Sequence, residues 1–124
     1  MSAPNLRDRY LQDSINTASP AKLLIMLYDR LILDLMHGEE AIRHGDRQLA
    51  NERISHAQEI VLELRTTLDM ETWDGAPGLA GLYGFVLTEL IGANIKQDAD
   101  RVASCRSLLE PLRDAWREAA TAST

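Results

Sequence analysis

The sequence predicts an all-α fold, an antiparallel four-helix bundle with an N-terminal arm or short extra helix. Three observations lead there. The 124 residues include 19 Leu and 15 Ala but only 6 aromatics. No run of β-branched and aromatic residues alternates with period two, which removes the signal of a half-buried strand. Long segments carry apolar residues at helical spacing, and short connections between them make neighbours antiparallel. The expected organisation is a flexible arm over 1–18, the bundle over 19–120 and a disordered tail over 121–124.

The first helix is expected to start at Ser19-Pro20, where Ser19 can cap and Pro20 lacks an N–H that the first turn leaves orphaned anyway. It is expected to run to His44, with Gly45 as its stop and Asp46 as the next cap. Leu24, Tyr28, Leu31, Leu35 and Ile42 form its core seam, with Leu27 on one flank and Ile25, Ile32 and Met36 on the other. Met26 and Leu33 project among charged positions, and Gly38 costs the helix about 1 kcal/mol relative to Ala.

The second helix is expected over Asp46 to about Asp69, with Ala50, Ile54, Ala57, Val61, Leu64 and Leu68 spaced as bundle packing requires. Residues 69–78 concentrate Gly, Pro and Asp and are predicted to be the one substantial loop. A third helix follows over about Leu79 to Lys96. The fourth, about Asp98 to Ala120, has a seam at Val102, Cys105, Leu109, Leu112 and Trp116. Pro111 lies inside it, so a kink or break is expected there.

The third helix has more apolar surface than a bundle needs, with Glu89 as the one charge between Leu79 and Ile95. Leu79, Leu82, Val86 and Leu90, flanked by Tyr83, Leu87 and Ile91, are read as its core arc. Gly81, Gly84, Thr88, Gly92 and Ile95 form a second stripe, with Phe85 beside them. Three helical glycines cost on the order of 2–3 kcal/mol against alanine. Small residues let another backbone approach closely, so an additional layer is expected: the arm, a second copy of the chain, or a helical partner. Asn94, at the edge of the apolar arc, needs either a neighbouring helix or an incoming chain as its hydrogen-bond partner.

Composition narrows the function. The net charge of −6 and only 2 Lys among 13 basic residues give no footprint for nucleic acid. No stretch approaches ~18 consecutive apolar residues, so membrane insertion is not expected. The N-terminal residues have no apolar core of a signal sequence, and the single cysteine, Cys105, is read as a small buried hydrophobe. A cytoplasmic location is expected. A di-iron site needs Glu-x-x-His on two helices, but no histidine here follows a Glu at that spacing, and Asp34-x-x-His37 has no second copy. His37, His44 and His56 are read as solvated. No phosphate loop or catalytic constellation appears, and no catalytic, metal or cofactor-binding residue is expected.

Several motifs resemble one known family. They are Tyr10 followed by Ile15-x-Thr17-Ala18-Ser19-Pro20, Leu24-x-Met26-Leu27-Tyr28-Asp29, Leu82-Tyr83-x-Phe85, Ala93-Asn94 with Asp98, and Leu108-Leu109-x-x-Leu112-Arg113-Asp114-Ala115-Trp116. In this order the stretches resemble the flagellar secretion chaperone FliS family. The resemblance implies a cytosolic export chaperone without enzymatic activity. It would bind the disordered C-terminal segment of flagellin, prevent premature polymerisation and deliver flagellin to the flagellar type III export apparatus, where an export gate component recognises the loaded complex. It also implies that the N-terminal arm covers part of the binding surface when flagellin is absent. Tyr10, Ile15, Thr17, Pro20, Leu24, Tyr28, Leu82, Tyr83 and Asn94 are the expected flagellin-binding residues, joined by Gly81, Gly84, Thr88 and Gly92 of the stripe. Arg30 stands where the family usually has Gly, and Gly81, Gly84 and Gly92 where bulkier residues are usual. The alternative is a self-associating structural or adaptor bundle, with a homodimer of the free chain.

Overall fold

A computed structural model describes residues 19–68 and 74–122. Tyr10, Ile15 and Thr17 lie outside the described residues. Four helices follow in chain order: α1 (Pro20–Arg43), α2 (Arg47–Thr67), α3 (Ala76–Lys96) and α4 (Ala99–Ala122). Each packs on the helix that follows it in sequence, and α4 closes the ring on α1. Alternating chain direction makes this an antiparallel bundle with α1 diagonal to α3 and α2 diagonal to α4.

The two tight connections use the same device. At the end of α1, Gly45 takes a φ of 76°, and the Asp46 N–H reaches back to the Ala41 carbonyl. The Asp46 side chain then accepts a hydrogen bond from the Leu49 N–H and starts α2. At the end of α3 the left-handed residue is Gln97, the Asp98 N–H bonds Ala93, and the Asp98 carboxylate accepts from Arg101 N–H. One residue releases the carbonyl end of a helix and the following Asp caps the next. Ser19 caps α1 as the sequence predicts, accepting from Lys22 N–H at 3.2 Å.

Two boundaries and one expected break differ from expectation. α3 begins at Ala76 rather than Leu79, because Pro77 fits its first turn. α4 continues to Ala122, so Thr121 and Ala122 are helix and not tail. α4 also runs through Pro111 without a break: Pro111 and Ser107 are both exposed, so the carbonyl that loses its donor faces water.

The core is aliphatic, centred on Leu31, Leu35, Ile54, Ile60, Val61, Val86, Leu90, Val102 and Leu109, all essentially without exposure. Gly38 has a packing role, since a Cβ there would come within 3.0 Å of Ile54 Cγ1. Met36, read as flanking the core, is about half exposed, and Leu33 is also exposed. Cys105 is buried as expected, and burial pushes its thiol up to about 11.

Two polar clusters enter the interior. Tyr28 and Tyr83 share a hydrogen bond of 2.5 Å across the bundle diagonal, and Tyr28 meets the ring of Trp116 edge-on at 6.3 Å. Asp34 is fully buried between α1 and α2 and accepts a hydrogen bond from His56 Nδ1. Arg30 Nε stands 3.4 Å and Arg53 Nη1 3.9 Å from the other carboxylate oxygen. His56 is therefore half-buried and partnered, not the solvated residue that its place on α2 suggested. His37 and His44 are exposed. Among the described residues no three His, Cys, Asp or Glu side chains gather as a metal would require.

Candidate functional site

α3 has the composition of a helix that is covered on every side, yet the bundle covers only part of it. Its buried residues are Ala76, Tyr83, Val86, Leu90 and Ala93. Leu79, Leu82 and Leu87 pack partly against the core. The inward face is the arc expected from sequence, with Val86 and Leu90 near its centre and Tyr83 and Ala93 toward its edges; of the expected residues only Ile91 is outside. At 21 residues and a mean hydropathy of 1.3, α3 is the only described helix long and apolar enough to cross a membrane. In the bundle its polar side chains are tied to three neighbouring helices. Tyr83 bonds Tyr28 of α1, Glu89 accepts from Arg101 of α4, and Asn94 donates to Asn51 of α2.

The outward face is apolar. Phe85 is 52% exposed, Ile91 49% and Ile95 69%. Gly81 and Gly84 adjoin them, and a Cβ at either would meet nothing within 4 Å. Thr88 is exposed with its hydroxyl occupied inside the helix, donating to the Gly84 carbonyl at 3.1 Å. A donor engaged in this way does not oppose an apolar neighbour.

The face widens toward the start of α3. The Glu89–Arg101 pair fixes the level of α3 against α4, and the Asn94–Asn51 bond fixes it against α2. Two helical turns from the first pair, Leu82 and Leu108 come level with each other on facing sides. Three turns from the second, Leu62 comes level with Tyr83. Leu62 and Leu108 are both about half exposed. Among the described residues an apolar band thus crosses three helices, with Gly81 and Gly84 at its middle and no described side chain filling that middle.

The expected site residues divide by position. Gly81, Gly84 and Thr88 line the band, and Leu82 borders it. Tyr28 and Tyr83, read both as seam residues and as flagellin-binding residues, are fully buried and bonded to each other, as the seam reading implies. The space beside Gly92 is occupied within the bundle. The Arg101 guanidinium crosses it so closely that a Cβ would lie 2.5 Å from Nη1. Asn94 uses its side chain within the bundle, bonding Asn51 at 2.8 Å. Pro20 is exposed and Leu24 half-buried, both at the entry of α1 and on the helix diagonal to α3. Phe85, Ile91, Leu62 and Leu108 belong to the band and were absent from the expected set. Their signal in the sequence was the excess of apolar positions on α3, together with Leu62 and Leu108 lying outside the seams of α2 and α4.

Electrostatics leave the band neutral. The hydrogen bond from Arg101 holds the Glu89 carboxyl below its ordinary range and pushes the guanidinium further up. The charge that borders the band is therefore internally paired across the pH range of a cell. The arrangement offers a long apolar contact for an extended or helical partner and no deep pocket for a small molecule.

A family model described as flagellar protein FliS matches residues 3–123. The flagellar secretion chaperone FliS of Bacillus subtilis is 32% identical over 119 residues, which cover 96% of this chain and 89% of that protein. The protein of the same name from Vibrio cholerae is 30% identical over 107 residues, covering 86% and 79%. A solved structure described as a flagellar chaperone from bacteria superposes with a TM-score of 0.77 at 26% identity, covering 91% of this chain and 93% of that one.

Proposed function

The chain belongs to the FliS family of flagellar proteins, and on that premise we propose that it is a cytoplasmic export chaperone for flagellin. It binds the disordered C-terminal segment of flagellin on the outer face of α3, keeps flagellin from polymerising early and hands it to the flagellar type III export apparatus through a gate component. The observation that carries the reading is the apolar band around Phe85, Ile91 and Ile95, with open space over Gly81 and Gly84.

Magnitudes favour a long contact. Covering the exposed part of Phe85, Ile91 and Ile95 contributes on the order of 1 kcal/mol each. A micromolar complex needs about 8 kcal/mol beyond the cost of ordering the client. The three residues are too few, so the client must bury its own apolar side chains along the whole band, from Leu62 across α3 to Leu108. A segment that folds as it binds suits this geometry, because it can follow a curved surface that a rigid partner cannot.

The test is to mix the purified chain with a flagellin C-terminal segment and measure the mass in solution by light scattering. A complex containing both chains is expected. Separate species at micromolar concentration would overturn the proposal. A dimer of the chain that persists when flagellin is added is the result expected of the self-associating alternative.

A further inference from the structure

We infer that Tyr83, Glu89 and Asn94 are positioning residues that fix the rotation of α3 about its own axis and so decide which apolar side is offered to a partner. The inference rests on the reading of the α3 face as a docking surface.

Hydrophobic burial alone does not fully orient this helix. An ordinary bundle helix has one apolar stripe, and turning the stripe inward specifies its rotation. On α3 the large residues Leu79, Leu82, Val86 and Leu90 lie inward, but Phe85 and Ile91, just beyond the two edges of that arc, are as apolar as its own edge residues Leu82 and Leu87. Burial energy follows area and has no direction, so it sets the inward arc only broadly: a turn that brings in Ile91 as Leu82 leaves, or Phe85 as Leu87 leaves, covers similar apolar surface.

The polar side chains supply the missing direction. The Tyr83 hydroxyl meets Tyr28 on α1 at 2.5 Å, Arg101 on α4 donates to Glu89 at 2.9 Å, and Asn94 donates to Asn51 on α2 at 2.8 Å. Each tie goes to a different helix, and together they span three turns of α3. Turning α3 by one residue position, about 100°, breaks all three at once and leaves polar groups in the interior or at the seams without partners. Polar contacts inside a bundle set register in this way when apolar packing is degenerate. Gly92 belongs to the same device. Its missing side chain is the space through which Arg101 reaches Glu89.

The chain has a single phenylalanine, Phe85, and it lies on the exposed face. Protein grown with fluorophenylalanine therefore carries one fluorine reporter of how α3 is turned. The variants are Arg101→Gln with Asn94→Ala, and Arg101→Lys as the conservative control. Wild type and Arg101→Lys should each give one fluorine line that shifts between H2O and D2O as an exposed fluorine does. The double variant, with its helical circular dichroism retained, should give a broadened or second line with a smaller solvent shift. It should also bind a flagellin C-terminal segment about tenfold more weakly or worse. A single wild-type-like line in the double variant overturns the inference, as does lost affinity with an unchanged line. If the double variant loses its helicity, the single variants decide: a broadened line is expected in each, and unchanged lines in both overturn the inference. A wild-type chain with no affinity for the flagellin segment removes the docking reading and leaves the fluorine spectra to judge the rotation alone.

Discussion

Asp34 interrupts the buried seam of α1 formed by Leu27, Leu31, Gly38 and Ala41, where an apolar residue would be expected. In the sequence Asp34 stood out only as a metal motif without a second copy, and its partners were not legible, since His56 and Arg53 are brought to it only by the packing of α2 on α1. His56→Ala should cost about 2 kcal/mol, well above the effect of a solvated histidine, because it withdraws a hydrogen bond from a fully buried carboxylate. Urea denaturation of the variant checks this, and a midpoint equal to wild type would show that the two arginines suffice. The tyrosine pair makes a second prediction. Burial pushes the Tyr28 and Tyr83 hydroxyls above the ordinary tyrosine range. The folded chain then keeps protons that the unfolded chain releases above about pH 10. The stability tied to these groups is complete below that pH and is lost as pH rises beyond it, more steeply in wild type than in Tyr83→Leu. Denaturation midpoints measured on both sides of about pH 10 compare the two chains.

At the scale of the helix, the ends of α1 and the start of α2 were legible because their signals are local: Ser19, Gly45 and Asp46 act on backbone groups within a few residues. The inward arc of α3 was legible too, in Leu79, Leu82, Val86 and Leu90, but its edge was not, because apolar residues continue past it: Ile91, expected as a flank, is exposed, and the small Ala93 inside the arc gave no signal. The glycines of α3 separate by what surrounds them. Gly84→Ala should raise stability by about 1 kcal/mol, the helix-propensity gain, since the new methyl meets open space. Gly92→Ala should lose most of that gain by displacing Arg101 from Glu89. Equal midpoints for the two variants in thermal denaturation would contradict this difference. On α4, Pro111→Ala should stabilise by about 1–3 kcal/mol, because it restores a helix hydrogen bond at an exposed position that no other contact depends on.

For the whole molecule, composition foretold a helical bundle with surplus apolar surface, and the structure locates that surplus in a band across α2, α3 and α4. The expected site mixed two kinds of residue that the helical seams already part. Tyr28 and Tyr83 hold the bundle together, whereas Gly81, Gly84 and Thr88 face outward. The packing of α3 on α2 and α4 adds what the seams do not show, the apolar neighbours Leu62 and Leu108 on either side of that outer face. The self-paired charges at Glu89–Arg101 and the empty space over Gly84 describe a surface suited to a chain that supplies its own side chains to the contact. The most direct measurement is a calorimetric titration of the wild-type chain and Gly84→Arg with a flagellin C-terminal segment. The variant should melt no lower than wild type, since the added side chain enters open space and replaces a helical glycine, and should bind about tenfold more weakly or worse, ~1.4 kcal/mol or more. Equal affinity for the two chains would contradict a docking role for the outer face of α3.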